Sequence, residues 1–470
     1  MPLRSSTRTL LRGLAVTDHV VDVPLRWDLG ERGGPGRPVP ASGPVPAADP
    51  GPTLQVLARE VVDVRREGED LPLLLFLQGG PGGKSPRPVP GQGWLARATR
   101  THRVVLLDQR GTGRSTRVDA SRAAELGAGT PEGDAALAEH LRHHRADAVV
   151  ADAEHVRHAV YGGRRWESLG QSYGGFVTLT YLSRAPHGLA ACYVTGGLAG
   201  LTATADDVYA ATYPRVLDRN ARHLARFPGD ADLLDALADR LDAEDVRLPS
   251  GDRLTTRRLQ SLGIALGRGD GSDDLHWLLD EAFRDGPSYD EHGPAPDGPL
   301  APSFLAAVEE RTSHADGPLY VVLHESIYAQ GPLLGQGPTA WAAQRLLPPE
   351  LEPSARHLGL LGEMTYPWQV EETAALRPFR GATELLHAAD DWGPLYEPEV
   401  LAANEVPVAA LAYHDDLYVD VDISLATARA LGRCDVWVTN EWQHDGLRAS
   451  GGAVLDRLLA SVAERGGPLA

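Results

Sequence analysis

A single serine among small residues is the first feature of this sequence that suggests chemistry. Ser172 lies in the stretch GQSYGG, between two apolar runs. This is the G-x-S-x-G pattern, in which small neighbours allow a sharp turn to hold a nucleophilic hydroxyl above a sheet. The same residue types also suit an ordinary strand-to-helix turn with serine as the helix N-cap. The motif alone leaves both interpretations open.

Residues that could activate the serine follow it in the chain. Asp415 and Asp416 come after the apolar run VPVAALAY, and His444 comes after the apolar run CDVWVTN. Serine, acid and histidine follow one another in this order in α/β-hydrolases. We expect His444 to accept the proton of the Ser172 hydroxyl while an aspartate orients the imidazole and stabilises the imidazolium. The residues by themselves do not choose between Asp415 and Asp416.

A glycine-rich stretch, GGPGG from Gly79 to Gly83, follows the apolar run LLLFLQ. Backbone without side chains at the end of a strand brings N–H groups close to a ligand atom, as an oxyanion hole requires. A simple Gly/Pro turn is the alternative. We expect the backbone N–H of Tyr173, together with one from Gly79 or Gly80, to hold the developing oxyanion. Losing one such donor typically costs about 10²–10³ in rate.

A polar segment, DQRGTGRS, follows a further apolar run. Asp108, Arg110 and Arg114 within it are predicted to form a structural ion-pair network rather than to carry out chemistry. A phosphate-binding loop is excluded because the G-x-x-x-x-G-K-[ST] spacing is absent. HLRHH, which contains His140, is predicted to lie on a solvent-exposed helix. No His/Cys/Asp group has convincing ligand spacing, so the sequence predicts neither a metal nor a cofactor.

The elements that must position these residues follow from the apolar runs. Short continuous runs suit strands buried on both faces of a mostly parallel sheet, and they begin at Leu71, Arg103, Trp166 and Leu189. Helical patterns after Ala146 and after Ser172 separate some of them, which implies βαβ units. Two antiparallel strands are predicted earlier, at Thr17–Trp27 and Thr53–Val64. An irregular Pro/Gly-rich loop joins these two strands.

The pattern changes after Gly200. Residues 201–375 are rich in Asp, Arg, Leu and Ala at helical spacing, and the buried-strand pattern returns from about Glu405. We therefore predict an α/β core formed by residues 1–200 and 376–470. A helical insertion at 201–375, here called the cap, interrupts this core.

Charge and cysteine content narrow the class of protein. The chain has 470 residues and a formal net charge of −19, which argues against nucleic acid or an anionic membrane as a partner and favours a cationic substrate. The only cysteines, Cys192 and Cys434, lie in predicted strands and are expected to be inert buried thiols. No apolar run reaches the roughly 18 residues that span a bilayer, and no signal-peptide pattern is present. We predict a cytoplasmic protein.

The three glycine-containing motifs together resemble a known family. GGPGG after a strand, DQRGTGRS and GQSYGG, in this order, are similar to HGGPG, DQRGxGxS and GxSxGG of the prolyl aminopeptidase (proline iminopeptidase) family of serine peptidases. Gln78 stands where that family usually has histidine. The resemblance implies an α/β-hydrolase fold, with a mostly parallel central sheet flanked by helices. It also implies that the helical insertion is the cap domain of that family.

The resemblance also implies roles for individual residues. Ser172 is then the nucleophile and His444 the general base. The family's acid lies four residues before a usual proline, which here is Asp420, so the acid is Asp416. Asp415 remains the alternative.

An aminopeptidase must also recognise a free α-ammonium group. Desolvating such a group without a partner costs several kcal/mol, so carboxylates are required. Glu325 and Glu363 lie among apolar and aromatic residues of the cap, where each could equally be structural. The resemblance implies that both bind the N-terminus of the substrate. Tyr328, Tyr366 and Trp368 are predicted either to line a pocket for the first side chain or to belong to the core of the cap.

Two functions follow from these residues. The first is a serine aminopeptidase that releases N-terminal proline from short peptides with a free N-terminus, and the release of other N-terminal residues stays open. The second is a serine hydrolase of small uncharged esters or amides, with Glu325 and Glu363 merely structural. The complete Ser/Asp/His set argues against a catalytically inactive binding protein. Epoxide and haloalkane hydrolases are excluded because they need aspartate in place of Ser172.

Overall fold

The structure is a computed structural model that describes residues 3–91, 93–284, 288–290, 293–295, 298–355 and 357–469. Its strands form one large sheet and one short hairpin. In chain order they are β1 (Leu3–Leu11), β2 (Leu14–Pro24), β3 (Thr53–Asp63), β4 (Leu73–Leu77), β5 (Arg103–Asp108), β6 (Trp166–Gln171), β7 (Leu189–Thr195), β8 (Ser288–Asp290), β9 (Gly293–Ala295), β10 (Val408–Tyr413) and β11 (Cys434–Thr439).

The large sheet has the order β1-β2-β3-β5-β4-β6-β7-β10-β11. The pairs β1–β2, β2–β3 and β3–β5 are antiparallel, and all pairs from β5 to β11 are parallel. The hairpin pairs β8 with β9. The carboxyl ends of the parallel strands therefore meet along one edge, which is where ligands bind in open α/β sheets.

Helices cover both faces of the sheet and make up most of the cap. They are α1 (Gly93–Ala98), α2 (Ala120–Glu125), α3 (Pro131–Arg142), α4 (Ala146–Tyr161), α5 (Tyr173–Arg184), α6 (Ala205–Arg226), α7 (Gly229–Ala243), α8 (Thr256–Gln260), α9 (Gly271–Asp280), α10 (Pro302–Thr312), α11 (Leu319–Leu323), α12 (Ala342–Arg345), α13 (Pro367–Glu372), α14 (Arg380–Ala388), α15 (Pro398–Ala402), α16 (Val421–Ala430), α17 (Gly446–Ala449) and α18 (Ala453–Glu464).

The central strands are apolar at every position because both of their faces are buried. In β4, Leu73, Leu75 and Leu77 join the core on the side of α4 and α5. Leu74 and Phe76 join the core on the side of α1 and α18. Successive side chains of a strand point to opposite faces, so a strand between two helical layers needs a continuous apolar run. The predicted α/β-hydrolase fold class is confirmed.

The predicted antiparallel strands occur as β2 and β3, with β2 beginning three residues earlier than expected. Strand β1 was not predicted. Its sequence is LRSSTRTLL, and all of its residues except Leu11 are exposed. A polar edge strand lacks the alternation that identifies half-buried strands.

The cap shares a core with the sheet. Helices α6 to α13 and the β8–β9 hairpin lie within the predicted insertion. Tyr209, Tyr213 and Val216 of α6 belong to the same apolar cluster as Phe176 of α5. The division at residues 201 and 376 stays a prediction.

The Pro/Gly-rich loop after β2 is irregular, as predicted, and packs on the sheet domain. Val39 is buried, and its N–H donates to the carbonyl of Arg184 at 2.8 Å. The guanidinium of Arg184 lies against Gly36, where a Cβ would overlap it. The loop therefore adds contacts to the end of α5.

Two further expectations concern cysteines and membranes. Cys192 is buried and Cys434 is half-buried, and both thiols are free. Of the described helices, none combines the length and the apolar character needed to cross a membrane.

Candidate active site

Ser172 occupies a strained turn between β6 and α5. Its φ is 55° and its ψ is −127°. A residue other than glycine held in a sparsely populated backbone region costs roughly 1–3 kcal/mol and needs support from its surroundings. The Ser172 N–H donates to the carbonyl of Thr195 at 2.9 Å, and its own carbonyl accepts from the N–H of Gly175 at 2.7 Å. These two hydrogen bonds tie the turn to β7 and to the first turn of α5.

The glycines around the serine are required by close packing of the backbone. A Cβ on Gly170 would overlap the carbonyl oxygen of Gly174. A Cβ on Gly174 would overlap the carbonyl oxygen of Leu77, at the end of β4. A Cβ on Gly175 would overlap Gly197. The GQSYGG stretch is thus a tight strand-to-helix elbow at the carboxyl edge of the sheet.

The structure pairs His444 with Asp416. Nδ1 of His444 lies 2.8 Å from Oδ2 of Asp416, and both side chains are buried. The other carboxylate oxygen of Asp416 accepts from the N–H groups of Tyr418 at 2.8 Å and Val419 at 3.2 Å. An aspartate fixed in this way selects the tautomer that carries the proton on Nδ1, which leaves Nε2 as the basic nitrogen. That Nε2 is buried and has no hydrogen-bond partner among the described residues.

Asp415 and Asp420 have other partners. Asp415 lies 2.9 Å from Nδ1 of His414 and 3.6 Å from Arg222. Asp420 caps the N-terminus of α16 and pairs with Arg215 at 2.7 Å. Of the two candidate acids, only Asp416 reaches the imidazole of His444.

One turn packs against both Ser172 and His444, although Nε2 of His444 makes no hydrogen bond to Ser172. Gly196 and Gly197 follow β7. A Cβ on Gly197 would overlap the carbonyl oxygen of Ser172, and a Cβ on Gly196 would lie 3.0 Å from Nδ1 of His444. Ser172 and His444 therefore pack against adjacent residues of the same turn.

Three acidic side chains raise the pKa of His444. Burial alone would lower it, but the charge and hydrogen bond of Asp416, with contributions from Glu363 and Asp445, raise the pKa above the usual value of 6.5. An anion close to an imidazole favours its charged form. The arrangement therefore stabilises the imidazolium that forms when His444 accepts a proton.

The glycine loop after β4 begins against Ser172. A Cβ on Gly79 would lie 2.9 Å from Cβ and 3.5 Å from Oγ of Ser172. A Cβ on Gly82 would lie 2.7 Å from Cβ of Leu319 and 2.9 Å from the backbone nitrogen of Tyr320. The loop is thus sandwiched between the elbow and the cap. The oxyanion-hole roles of Gly79, Gly80 and Tyr173 stay predictions.

The DQRGTGRS segment braces this loop through a structural network of the kind predicted. The carboxylate of Asp108 accepts from the N–H of Ser85 at 3.1 Å and from the N–H of Arg114 at 2.9 Å. It also binds both terminal nitrogens of Arg87 at 2.8 Å. Arg110 is buried and pairs at 2.7 Å with an aspartate of α4. None of these charges is directed at Ser172.

Glu363 is a half-buried carboxyl close to the Asp416–His444 pair. The hydroxyl of Tyr320 donates to its Oε1 at 3.3 Å. Burial raises the pKa of Glu363 to about 7, and the charge of Asp416 adds to the shift, while His444 and the Tyr320 hydrogen bond oppose it. A cation close to such a carboxyl favours its charged form.

Glu325 has a different environment. It is buried, and its carboxylate accepts from the N–H groups of Ala342 and Ala343, both at 3.0 Å. Nδ1 of His387 lies 3.1 Å from the same carboxylate. These partners make Glu325 the anion at the start of α12. The two glutamates, equivalent in the sequence interpretation, therefore differ. Glu363 lies near the Asp416–His444 pair, whereas Glu325 links α12 to His387 within the cap.

The three aromatic residues that the sequence interpretation named also have different environments. Tyr366 stacks on Trp368, with ring centroids 5.9 Å apart, and its hydroxyl is 3.1 Å from that of Tyr213 in α6. Both rings belong to the core of the cap. Tyr328 instead faces α5, with its ring 6.0 Å from that of Phe176. A role in the pocket therefore stays open for Tyr328.

Sequence reasoning missed three side chains near the site. Tyr418 packs edge-on against His444 at 4.7 Å, and Tyr320 binds Glu363. His324 is buried between Tyr320 and Tyr328, and neither of its ring nitrogens has a hydrogen-bond partner among the described residues. Tyr418 could have been identified from the sequence, because it lies two residues after Asp416. The positions of Tyr320 and His324 depend on the tertiary packing of the cap, which the sequence does not show.

The histidines of HLRHH were wrongly predicted to be solvent-exposed. His140 and His144 are buried, with ring centroids 4.9 Å apart, and burial lowers the pKa of His140 to about 4. No cluster of three or more His, Cys, Asp or Glu side chains in the described part of the chain is arranged to hold a metal ion.

Comparison with known proteins extends these observations. Residues 72–269 match the family model described as alpha/beta hydrolase fold. A proline iminopeptidase of Aeromonas sobria is 41% identical over 410 residues, which cover 87% of this chain and 91% of that protein. A proline iminopeptidase of Aspergillus aculeatus is 28% identical over 428 residues, covering 88% of this chain and 90% of that protein. The similarity thus extends well beyond the region matched by the family model.

Proposed function

The chain belongs to the proline iminopeptidase family of α/β-hydrolases, and from this we propose that it is a serine aminopeptidase that releases N-terminal proline from short peptides. The observation that carries the proposal is the position of Glu363. Its half-buried carboxyl is held by the Tyr320 hydroxyl at 3.3 Å, and against the lowering effect of burial it helps to raise the pKa of the His444 imidazole. A hydrolase of uncharged esters does not need an anion at that place to bind its substrate.

The first half of the reaction forms an ester on Ser172. His444 takes the hydroxyl proton as Oγ attacks the carbonyl carbon of the N-terminal residue, and Asp416 stabilises the resulting imidazolium. The oxyanion is held by the N–H of Tyr173 and one N–H of Gly79 or Gly80. His444 then gives its proton to the leaving amine, and the C–N bond breaks. The shortened peptide leaves, and proline remains as the acyl group.

The second half regenerates the enzyme. His444 removes a proton from water as the water oxygen attacks the ester carbonyl, and the same N–H groups hold the second oxyanion. When this intermediate collapses, Ser172 recovers its proton from the imidazolium and proline leaves as the free amino acid. No group outside the protein and water is consumed.

Glu363 provides selectivity for a free N-terminus. The prolinium nitrogen carries two N–H donors and one positive charge, and a carboxylate is its natural partner. Binding this cation returns Glu363 to its charged form despite burial. Glu325 contributes by holding the N-terminus of α12. A direct contact between Glu325 and the substrate stays a proposal.

Comparing prolyl-2-naphthylamide with its N-acetyl derivative tests the proposal. Acetylation removes the charge and leaves the scissile bond unchanged. We expect kcat/KM to fall by about 10²-fold or more, because the half-buried Glu363 carboxylate would lose the ammonium group that it binds. Equal hydrolysis of the two compounds would overturn the proposal in favour of a hydrolase of uncharged amides and esters. Fluorophosphonate labelling of the wild type but not of Ser172→Ala confirms that the protein used is folded and reactive.

Two broader points belong to this proposal. The substrates are peptides with a free N-terminus, rather than nucleic acid or membrane. The location is the cytoplasm, where the unpaired thiols of Cys192 and Cys434 are stable.

A further inference from the structure

A cavity of about 300 Å³ opens beside the glycine loop. One wall is the loop itself, from Gly80 to Lys84, and the other is formed by cap residues from Ser313 to Gly317 together with Tyr320. We call it the loop cavity. Its volume is at the lower end of the ~300–1,000 Å³ range of small-molecule sites, which suits one or two amino-acid residues.

The loop cavity is connected to Ser172 and to Glu363 through one residue each. Gly79, the residue before its wall, lies against the Cβ and Oγ of Ser172. Tyr320 separates the cavity from Glu363, since it lines the cavity and donates its hydroxyl to that carboxyl. If the N-terminal residue of a substrate lies at Glu363 and its carbonyl at Ser172, the next residue of the peptide points along the glycine loop.

The inner wall of the loop cavity carries no charge at neutral pH. His314 stacks on Tyr320, with ring planes 6° apart and centroids 5.5 Å apart. Its backbone φ is 51°, a conformation uncommon for histidine, so the turn itself places this ring against Tyr320. Burial lowers the pKa of His314 to about 4, so the ring is neutral at pH 7. This wall suits a peptide group and a side chain rather than an ion.

The outer end is different because it carries Lys84. Of the 45 basic residues in the chain, 44 are arginine, and Lys84 is the single lysine. Its ammonium contacts Asp316, whose carboxylate is also 3.9 Å from Arg117. Two cations thus share one carboxylate. Both the Lys84 and the Asp316 side chains are exposed, so a second anion can reach the ammonium from solvent.

Two further charged residues line the loop cavity. Arg311 is bound to Asp274 at 3.0 Å and is not free to take a ligand. Glu310 is exposed on the same wall and would repel an anion. Removing the charge of Lys84 and removing that of Glu310 are therefore expected to change carboxylate binding in opposite directions.

We propose that the loop cavity holds the departing part of the peptide, and that Lys84 binds its C-terminal carboxylate. The inference rests on the proposed aminopeptidase function. It assigns a substrate class: short peptides, in which the free carboxylate follows the scissile bond by one or two residues. One extended residue spans about 3.3–3.6 Å, so each added residue moves the carboxylate further from Lys84.

A matched pair of substrates tests whether Lys84 binds the C-terminal carboxylate. Prolyl-alanine and prolyl-alanine amide differ only in the charge at the C-terminus, and the ratio of their kcat/KM values isolates it. We expect a ratio above one in the wild type, reduced about fivefold in Lys84→Met and increased in Glu310→Gln. Arg12→Met, which removes an exposed cation at the distant β1–β2 turn, is the control and should keep the wild-type ratio.

A direct measurement uses the single lysine. Reductive methylation with ¹³C-formaldehyde labels Lys84 and the α-amine, and Lys84→Met identifies which NMR signal belongs to the lysine. In Ser172→Ala, alanyl-glycine should shift the Lys84 signal in a saturable way, and alanyl-glycine amide should shift it much less. Equal shifts with both compounds, or an unchanged substrate ratio in Lys84→Met, would overturn the assignment.

The failure of this inference can be told apart from failure of the proposed function. If prolyl-2-naphthylamide is hydrolysed and its N-acetyl derivative is not, the aminopeptidase activity stands whatever happens at Lys84. If neither prolyl compound is hydrolysed by labelled, folded protein, the proposed function itself is wrong.

Discussion

Asp415 and Asp416 are neighbours with the same side chain, yet they face different partners. Asp416 is buried, accepts two backbone N–H groups and touches His444, whereas Asp415 lies beside His414 and Arg222. Both follow the same strand, so the difference arises within a single turn of the chain. Substituting each of the two aspartates in turn therefore gives a matched comparison.

We expect Asp416→Asn to lower kcat by about 10⁴-fold, because an amide stabilises neither the required tautomer nor the imidazolium. Asp415→Asn, the control, should stay within about threefold of the wild type, since its partners lie outside the triad. Steady-state kinetics with prolyl-2-naphthylamide measures both. A larger loss in Asp415→Asn than in Asp416→Asn would reverse the assignment of the acid.

Glu363 also predicts a pH dependence. Because its pKa is raised to about 7, it is protonated below that pH and no longer attracts the substrate ammonium. Its charge also raises the pKa of His444. Replacing it with glutamine removes an anion near the imidazole, which disfavours the imidazolium and lowers the pKa of His444.

The expected result is that Glu363→Gln moves the acid limb of kcat/KM to lower pH for an uncharged substrate such as p-nitrophenyl acetate. That limb reports the free enzyme's base, coupled here to its neighbouring carboxyl. Profiles of the two proteins in the same buffers give the comparison. An unmoved limb, or one moved to higher pH, would mean that Glu363 is not coupled to His444.

The sequence specifies the order of Ser172, Asp416 and His444, but not the difference between the two glutamates. Motifs and chain order are local or one-dimensional properties. The partners of Glu325 are backbone N–H groups 17 and 18 residues away, and those of Glu363 come from other segments. Only tertiary packing distinguishes them.

At the scale of elements, Glu325 is the link that fixes helix α12 in the cap. Its carboxylate satisfies N–H groups at the start of the helix that have no partner within it. His387 of α14 reaches the same carboxylate, so three segments meet there. The residue therefore affects the stability of the cap more than the chemistry at Ser172.

Glu325→Gln is expected to destabilise the protein by about 1–3 kcal/mol, because an amide replaces a charged acceptor of two N–H groups. Its KM for prolyl-2-naphthylamide should rise less than that of Glu363→Gln. Thermal unfolding and steady-state kinetics, measured on both variants, separate the two roles. The opposite ranking, with Glu325→Gln stable and weaker in binding, would place Glu325 in direct contact with the substrate.

The pattern of apolar residues in the sequence predicts some strands of the sheet better than others. The central strands β4 to β7 are buried between two helical layers, and their continuous apolar runs reveal them. The edge strands are harder: β1 is almost wholly exposed, and β11 was expected to be buried but is mostly half-buried. An edge strand is stabilised by backbone pairing with its neighbour, which leaves little trace in side-chain polarity.

The whole molecule carries a net charge of −19, and its proposed substrate carries a positive charge at one end. Long-range attraction raises the local concentration of a cationic ligand and weakens as salt screens it. The carboxyl groups near the site are therefore part of a larger field.

We expect kcat/KM for prolyl-2-naphthylamide to fall several-fold between about 0.02 and 0.5 M NaCl, because the Debye length shortens over this range. Hydrolysis of p-nitrophenyl acetate, which is uncharged, should change little and serves as the control. Parallel salt responses of the two substrates would show that the field of the protein does not guide substrate to the site.

The position of the proposed triad along the chain has a consequence for biosynthesis. Ser172 precedes the helical insertion, whereas Asp416 and His444 follow β10 and β11, the last strands of the sheet in chain order. A polypeptide emerging from the ribosome thus contains Ser172, the glycine loop and the whole cap well before it contains His444. Until the final parallel strand docks, the nascent enzyme cannot trim the N-termini of neighbouring newborn chains.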